Sequence, residues 1–355
     1  MTPLHVLVID DSAVVRQVMT ALLGKEMSVT TAADPLIAMM KMETRRPDVI
    51  VLDLEMPRMD GLTFLRKLMN ETPLPVVVCS SLTESSSELT MRALQLGAVD
   101  VVLKPKVRDS ADALIDTIRG AAQAKVGRLR RTVIPSVARD LGGRGANHMP
   151  RNPSHPGPSL TFGMTPIVIG ASTGGTEVLK QLFDAMPADA PPIVAVQHMP
   201  ERFTNAFARR LNETSAMTIR EAVPGDIVRP GTALIAPGDR HLALAWQAPG
   251  SLGITLHDAP LVNRHRPSVD VLFASAARML GSSAIGVLLT GMGRDGARGL
   301  LEMRKAGALT IAQDEASSIV FGMPGAAIDL GAAMRIVAAD HIAATLLDAV
   351  KGDND

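Results

Sequence analysis

Leu4-His5-Val6-Leu7-Val8-Ile9-Asp10-Asp11-Ser12 sets an apolar run against two carboxylates and a hydroxyl. A run this short and this apolar reads as a strand buried on both faces. Ser12 can cap a helix that follows at once, with Val14, Val15, Val18, Met19, Leu22 and Leu23 on one face. Buried strand followed by amphipathic helix is the unit of a parallel sheet covered on both sides. Outward from this stretch the unit recurs, with strands predicted over residues 49–52, 76–79 and 99–103. A helix over residues 61–71 carries Leu62, Leu65, Leu68 and Met69 on one face. A second series starts at residue 166. Its strands are predicted over 166–170, 193–197, 233–236, 253–256, 285–290 and 309–312, with helices near 177–185, 203–211, 269–280, 296–306 and 340–350. The expected class is α/β: two doubly wound domains with mainly parallel sheets, the second Rossmann-like and three-layered. No short-period repeat is visible, which excludes a solenoid.

Between the two series the composition changes. Residues 125–163 hold seven Lys or Arg against the single acid Asp140, with six Gly and five Pro, and read as a basic linker. The formal net charge of zero therefore divides into −3 for residues 1–124, +6 for the linker and −3 for residues 164–355. A chain of 355 residues has room for two such domains, each with its own core. With seven Phe, one Trp and no Tyr, stacking on single-stranded nucleic acid has almost nothing to work with, so no nucleic-acid partner is expected. One Cys excludes an internal disulfide and a Cys-rich metal site, and fits a reducing compartment. No run approaches the ~18 apolar residues of a membrane span, and residues 1–9 lack the basic region of a secretory signal. Membrane insertion is not expected, and the cytoplasm is.

Parallel sheets place ligand sites beyond the carboxyl ends of their strands. Asp10 and Asp11 end the first strand and Asp53 ends that over 49–52, so three carboxylates converge. A hard cation such as Mg²⁺ offsets that crowding of like charge and suits oxygen ligands. Two further strand ends supply the hydroxyl of Ser80 and the ammonium of Lys104, and the group is set up to accept a phosphoryl group on a carboxylate. Cys79, inside a strand, reads as packing. Residues 1–122 resemble the receiver domain of bacterial two-component response regulators, a flavodoxin-like fold. The resemblance rests on Asp10-Asp11-Ser12, on Leu52-Asp53-Leu54-Glu55-Met56-Pro57-Arg58-Met59-Asp60-Gly61, on Ser80 and on Lys104-Pro105. It implies that Asp53 is the phosphoacceptor and that Asp11, Asp53 and the Glu55 carbonyl, with Asp10 beside them, hold Mg²⁺. It further implies that Ser80 is the switch hydroxyl and Lys104 the phosphate partner. Val101 stands where that family often carries a rotating aromatic.

The second series opens with Gly170-Ala171-Ser172-Thr173-Gly174-Gly175 between a strand and a helix. This G-x-S-x-G turn can lift a Ser hydroxyl beside free helix amides, or cradle a pyrophosphate, although G-x-G-x-x-G spacing is absent. A Ser nucleophile needs a base. The strand over 193–197 runs into His198, and that over 285–290 into Gly291-Met292-Gly293-Arg294-Asp295-Gly296, so Ser172, His198 and Asp295 fall at one sheet edge. His198 can take the Ser172 proton, Asp295 can orient the imidazole, and backbone amides can hold an oxyanion. The order Ser, His, Asp differs from that of α/β-hydrolases. His241 and His265, both in apparent loop contexts, compete as base or substrate contact, but only His198 ends a strand beside that of Ser172. His257 lies within a strand, His341 starts the last helix, His5 sits in the first domain, and His148 and His155 fall in the linker. All five read as structural or exposed.

Residues 165–350 resemble the catalytic domain of the chemotaxis protein-glutamate methylesterases, and the whole chain resembles their receiver-regulated form. The motifs are those above together with Gln197-His198-Met199-Pro200, Ala236-Pro237-Gly238, Arg266-Pro267-Ser268-Val269-Asp270, Leu289-Thr290 before Gly291, and Gly322-Met323-Pro324. The resemblance implies a triad of Ser172, His198 and Asp295, an oxyanion donor at the Met292 amide, and a positioning role for Thr173. It implies no cofactor in the catalytic domain. The implied activity is hydrolysis of γ-glutamyl methyl esters on the cytoplasmic helices of chemoreceptors, releasing methanol, with glutamine deamidation at the same sites. A chemotaxis histidine kinase would be the phosphodonor, the receiver an inhibitory cover, and chemoreceptor arrays the place of work. Read from the residues alone, a nucleotide-binding domain, a general esterase and a binding module remain alternatives to a phosphorylation-controlled serine hydrolase.

Overall fold

The computed structural model describes residues 3–56, 59–81, 84–105, 112–126, 164–248 and 250–351. Five strands, β1 (His5–Ile9), β2 (Ser28–Ala32), β3 (Val49–Asp53), β4 (Val76–Ser80) and β5 (Asp100–Leu103), alternate with five helices. These are α1 (Ala13–Leu23), α2 (Pro35–Thr44), α3 (Gly61–Glu71), α4 (Glu84–Gln95) and α5 (Asp112–Ala122). The strands pair in parallel in the order β2-β1-β3-β4-β5. This is the flavodoxin-like doubly wound order, whose switch point lies between β1 and β3. Ser12 caps α1 by accepting from the Val15 amide, as its position foretold. The helix face differs from expectation: Met19 and Leu23 are buried, whereas Val14 is 64% exposed. At 3.6 residues per turn, Val15 shares the face of Met19 and Leu23 and Val14 is rotated off it.

The second series forms β6 (Ile167–Ala171), β7 (Ile193–Gln197), β8 (Thr218–Glu221), β9 (Thr232–Ile235), β10 (His241–Ala248), β11 (Ser251–His257), β12 (Ile285–Leu288), β13 (Leu309–Gln313) and β14 (Arg335–Val337). Its helices are α6 (Gly175–Asp184), α7 (Glu201–Thr214), α8 (Val269–Leu280), α9 (Ala297–Lys305), α10 (Met323–Asp329) and α11 (Ala339–Lys351). Seven strands make a parallel sheet, β14-β13-β12-β6-β7-β9-β8. The strand expected over 253–256 belongs instead to an antiparallel hairpin of β10 and β11 outside that sheet. Successive residues of β6 point to opposite layers. Ile167 and Ile169 join the core under α6, α7 and α11, and Val168 joins that under α8 and α9.

The layer under α6 and α7 is continuous with the core of the first sheet. α4 packs on α7, the Ser87 hydroxyl donates to the Arg202 carbonyl at 3.2 Å, and Lys125 reaches the second domain through the Ile319 carbonyl and the Glu315 carboxylate. Residues 127–163, nearly all of the expected linker, lie outside the described residues, as do His148 and His155.

Candidate active site

β6 and β7 run in register, Ala171 opposite Gln197, so Ser172 and His198 leave the sheet side by side. The His198 amide donates to the Ala171 carbonyl at 3.0 Å, and the Gln197 side chain donates to the Ser172 carbonyl at 2.9 Å. β12, on the other flank of β6, delivers the segment that carries Asp295. That segment passes very close to the nucleophile. A Cβ on Gly291 would stand 2.7 Å from the Ser172 Cβ, so only glycine permits the approach. Gly174, at φ 76°, starts α6 in the left-handed region.

His198 donates from Nε2 to Asp295 Oδ2 at 2.8 Å, and its Nδ1 is buried without a partner. Asp295 is 1% exposed and well supplied with donors: the Val269 amide, the Ser268 hydroxyl and the Asn263 amide, each at 2.7 Å. Burial alone would raise its carboxyl, yet hydrogen bonds from His198, Asn263 and Ser268 hold it well below the usual carboxylate range. Asn263 also donates to Asp270 at 2.7 Å. The sequence assigns no contact with Asp295 to Asn263 or to Ser268, although Ser268 lies in one of the motifs of the resemblance. The only signal for Asn263 is its residue type, since Asn tolerates the left-handed backbone, φ 50°, that it adopts here.

His265 stacks on His198, with ring centroids 3.7 Å apart and planes 10° from parallel. Burial, then His198 and Arg264, lower its imidazole to about 3. His241, expected in a loop as base or substrate contact, lies in a strand instead. It is the first residue of β10, fully buried, with Nε2 on the Pro260 carbonyl and Nδ1 accepting from the Ser268 amide, so it braces the loop and cannot meet substrate. His257, tilted against it at 5.4 Å, closes β11. His5 is buried against Thr30 and Arg46, and His341 is exposed.

Ser172, His198 and Asp295 line a cleft of about 810 Å³ whose other wall is the first domain, including Asp100, Leu114 and Asp116. The contacts reach the nucleophile's own turn. Thr173 Oγ1 donates to Asp100 Oδ2 at 2.8 Å, and the Gly174 amide donates to the Val99 carbonyl at 3.1 Å. Burial pushes the Asp100 carboxyl up to about 6 against the opposing pull of Thr173, the Val101 amide and His198. Arg264 pairs with Asp116 at 2.8 Å. Met292, the expected oxyanion donor, lines the cleft, and its side chain lies against Gly120 of α5. Nothing in the sequence assigned a role to Asp100, because its partner lies in the other domain.

At the far sheet edge, carboxylate atoms of Asp10, Asp11 and Asp53 lie within 4.8 Å of one another. Asp10 and Asp53 are buried and Asp11 is exposed. Lys104 pairs with Asp53 at 2.6 Å and Asp10 at 3.1 Å. Burial raises the Asp53 carboxyl against the pull of Lys104 and the Glu55 amide. Burial would likewise lower the Lys104 ammonium, but Asp53 and Asp10 hold it well above its ordinary value. Ser80 is buried at the end of β4. The Glu55 carboxylate accepts from Ser81 and Ser86 at 2.8 and 3.1 Å, which turns it from the acidic cluster and leaves only its backbone carbonyl as a candidate ligand. Three carboxylates with one ammonium suit an added hard cation. Cys79 is buried in β4, as expected of packing.

Residues 167–346 match the family described as CheB methylesterase, and residues 6–118 match the response regulator receiver domain. A protein-glutamate methylesterase/protein-glutamine glutaminase from Xanthomonas oryzae pv. oryzae is 48% identical over 98% of this chain and 97% of its own. One from Anaeromyxobacter dehalogenans is 49% identical over 97% and 98%. Among solved structures, the catalytic domain of Thermotoga maritima CheB methylesterase is 40% identical, covers 52% of this chain and 98% of its own, and has a TM-score of 0.51.

Proposed function

Because this chain belongs to the CheB methylesterase family and joins that domain to a response-regulator receiver, we propose that it demethylates chemoreceptors under the control of phosphorylation. The substrates are γ-glutamyl methyl esters on cytoplasmic receptor helices, and glutamines at the same sites are deamidated. The observation that carries the reading is His198, with Nε2 on Asp295 and a buried, unpartnered Nδ1, in the cleft that Ser172 also lines.

Ser172 Oγ attacks the ester carbonyl as its proton passes to His198 Nδ1. Asp295, whose charged form its hydrogen bonds favour, stabilises the imidazolium. The Met292 amide receives the oxyanion. Collapse breaks the acyl–oxygen bond, and the proton on His198 leaves with methoxide as methanol. His198 then takes a proton from water, whose oxygen attacks the acyl-serine; the acyl–Oγ bond breaks, His198 returns the proton to Ser172 Oγ, and the glutamic acid released ionises to its carboxylate. With a glutamine side chain the leaving group is ammonia instead.

In the receiver, Asp53 takes a phosphoryl group from a chemotaxis histidine kinase, and Lys104 and Ser80 hold its oxygens. Asp10, Asp11, Asp53 and the Glu55 carbonyl would hold Mg²⁺, which supplies charge neutralisation there. Domain limits of 1–124 and 164–355, joined by the basic linker 125–163, complete the reading. The enzyme works in the cytoplasm at receptor arrays, in keeping with the lack, among the described residues, of any helix long and apolar enough to cross a membrane.

The test is methanol release from methylated receptor membranes with and without a small phosphodonor. Ser172→Ala is expected to abolish release, and Asp53→Asn to keep the basal rate while losing the stimulation. Undiminished release by the Ser172 variant would refute the triad.

A further inference from the structure

One loop, residues 261–268, grips the triad from two sides. Asn263 and Ser268 hold Asp295, while His265 lays its ring flat on the ring of His198. The loop is itself fixed. The His265 amide donates to the Val262 carbonyl at 2.9 Å and the Val262 amide returns the bond at 3.1 Å. Arg266 braces it further against Asp239 and the Ala259 carbonyl. His265 takes no proton in the mechanism above, yet its ring lies face to face with that of His198, the centroids 3.7 Å apart and the planes at 10°.

His198 must keep Nε2 on Asp295 while Nδ1 serves Ser172, and rotation about the ring's χ2 loses both alignments together. Aspartate fixes one atom of the ring, and nothing in that single bond fixes the plane. A flat wall against one face does. The groups facing His265 are His198, Asp295 and Arg264, and with its imidazole lowered to about 3 it stays neutral while His198 cycles through its charged form. A neutral π face against a forming imidazolium is favourable, whereas a second cation there would oppose it.

We infer that His265 is a positioning residue for the hydrolysis, its ring holding His198 in the plane that joins Asp295 to Ser172. The inference rests on the triad reading. The requirement is for a flat ring, not for an imidazole.

Steady-state hydrolysis by the full-length, phosphodonor-stimulated protein tests it with three variants. His265→Ala and His265→Gln, which remove the ring, are expected to lower kcat by about 10²-fold, the usual scale of a small misplacement in a catalytic group, with KM little changed. His265→Phe, which restores a flat face, is expected to recover most of kcat. Thermal melting of each variant accompanies the kinetics, and the Phe variant carries the result where the Ala chain melts early. Unchanged kcat in the Ala and Gln variants overturns the inference. So does a Phe variant as slow as Ala, which would assign a proton or hydrogen bond to the imidazole, or a change in KM alone, which would make His265 a substrate contact. Residual activity in Ser172→Ala would defeat the triad itself, whereas an inactive Ser172→Ala beside a normal His265→Ala defeats only this inference.

Discussion

At the scale of single residues, the site depends on how thoroughly Asp295 is surrounded. Four donors within 2.8 Å fix both its oxygens and favour its charged form, which suits the orienting and stabilising role proposed for it. Asp295→Asn would turn an amide donor toward donors. By comparison with other triads, kcat is expected to fall about 10⁴-fold. Steady-state kinetics check this, and a loss under tenfold would mean that His198 is oriented by something else. The three positions proposed as the triad are legible in sequence because each ends or follows an unbroken apolar strand, β6, β7 or β12, and such strands state their own ends. Asn263, Ser268 and His265 are not legible in that way. They act from a loop whose path is set by backbone pairing at Val262 and by buried His241, and loop paths leave no periodicity.

Among elements, the same contrast decides which strands could be read. β2, β8 and β14 are sheet edges with partly exposed or mixed faces, SVTTA, TIRE and RIV, and show neither a continuous run nor clean alternation. These three edges carry none of the candidate site residues, unlike β5, the remaining edge, which carries Asp100 and leads into Lys104. The receiver elements that wall the cleft are β5 and α5. On α5, a Cβ at Gly120 would lie 2.9 Å from the Met292 sulfur and 3.0 Å from its Cβ. Gly120→Ala gains up to about 1 kcal/mol in helix propensity yet wedges the two domains apart. Basal methanol release is expected to rise several-fold and the stimulated increment to shrink, and an unchanged basal rate would show that the helix does not bear on Met292. On β5, Asp100 has its carboxyl raised to about 6 when docked, from an ordinary value near 3.8. The docked form therefore binds a proton more tightly than the open form. Docking strengthens as pH falls from about 6 towards 4 and is weakest above 6. The ratio of basal to stimulated activity is expected to fall across that window and to flatten in Asp100→Asn. A ratio independent of pH in the unsubstituted chain would count against it.

For the whole molecule, the apolar layer that runs from the receiver core beneath α6 and α7 makes the two domains one packed body in this arrangement. A truncated chain of residues 164–355 exposes that layer and opens the cleft. It is expected to release methanol without phosphodonor at or above the stimulated rate of the full chain, and a silent truncation would remove the inhibitory role of the receiver. Thr173 and Gly174 donate to Asp100 of β5 and to Val99 just before it. The receiver is bonded to the turn that carries Ser172, so in the proposed mechanism it competes with whatever that turn must hold during the reaction. Two ligands that exclude one another through a shared surface obey a reciprocal law: whatever factor phosphorylation adds to the affinity of a molecule seated on Ser172, that molecule returns to the stability of the phosphorylated state. A receptor helix caught in the cleft is then an effector of the receiver as well as a substrate, and a methylated receptor would help to keep its own eraser switched on.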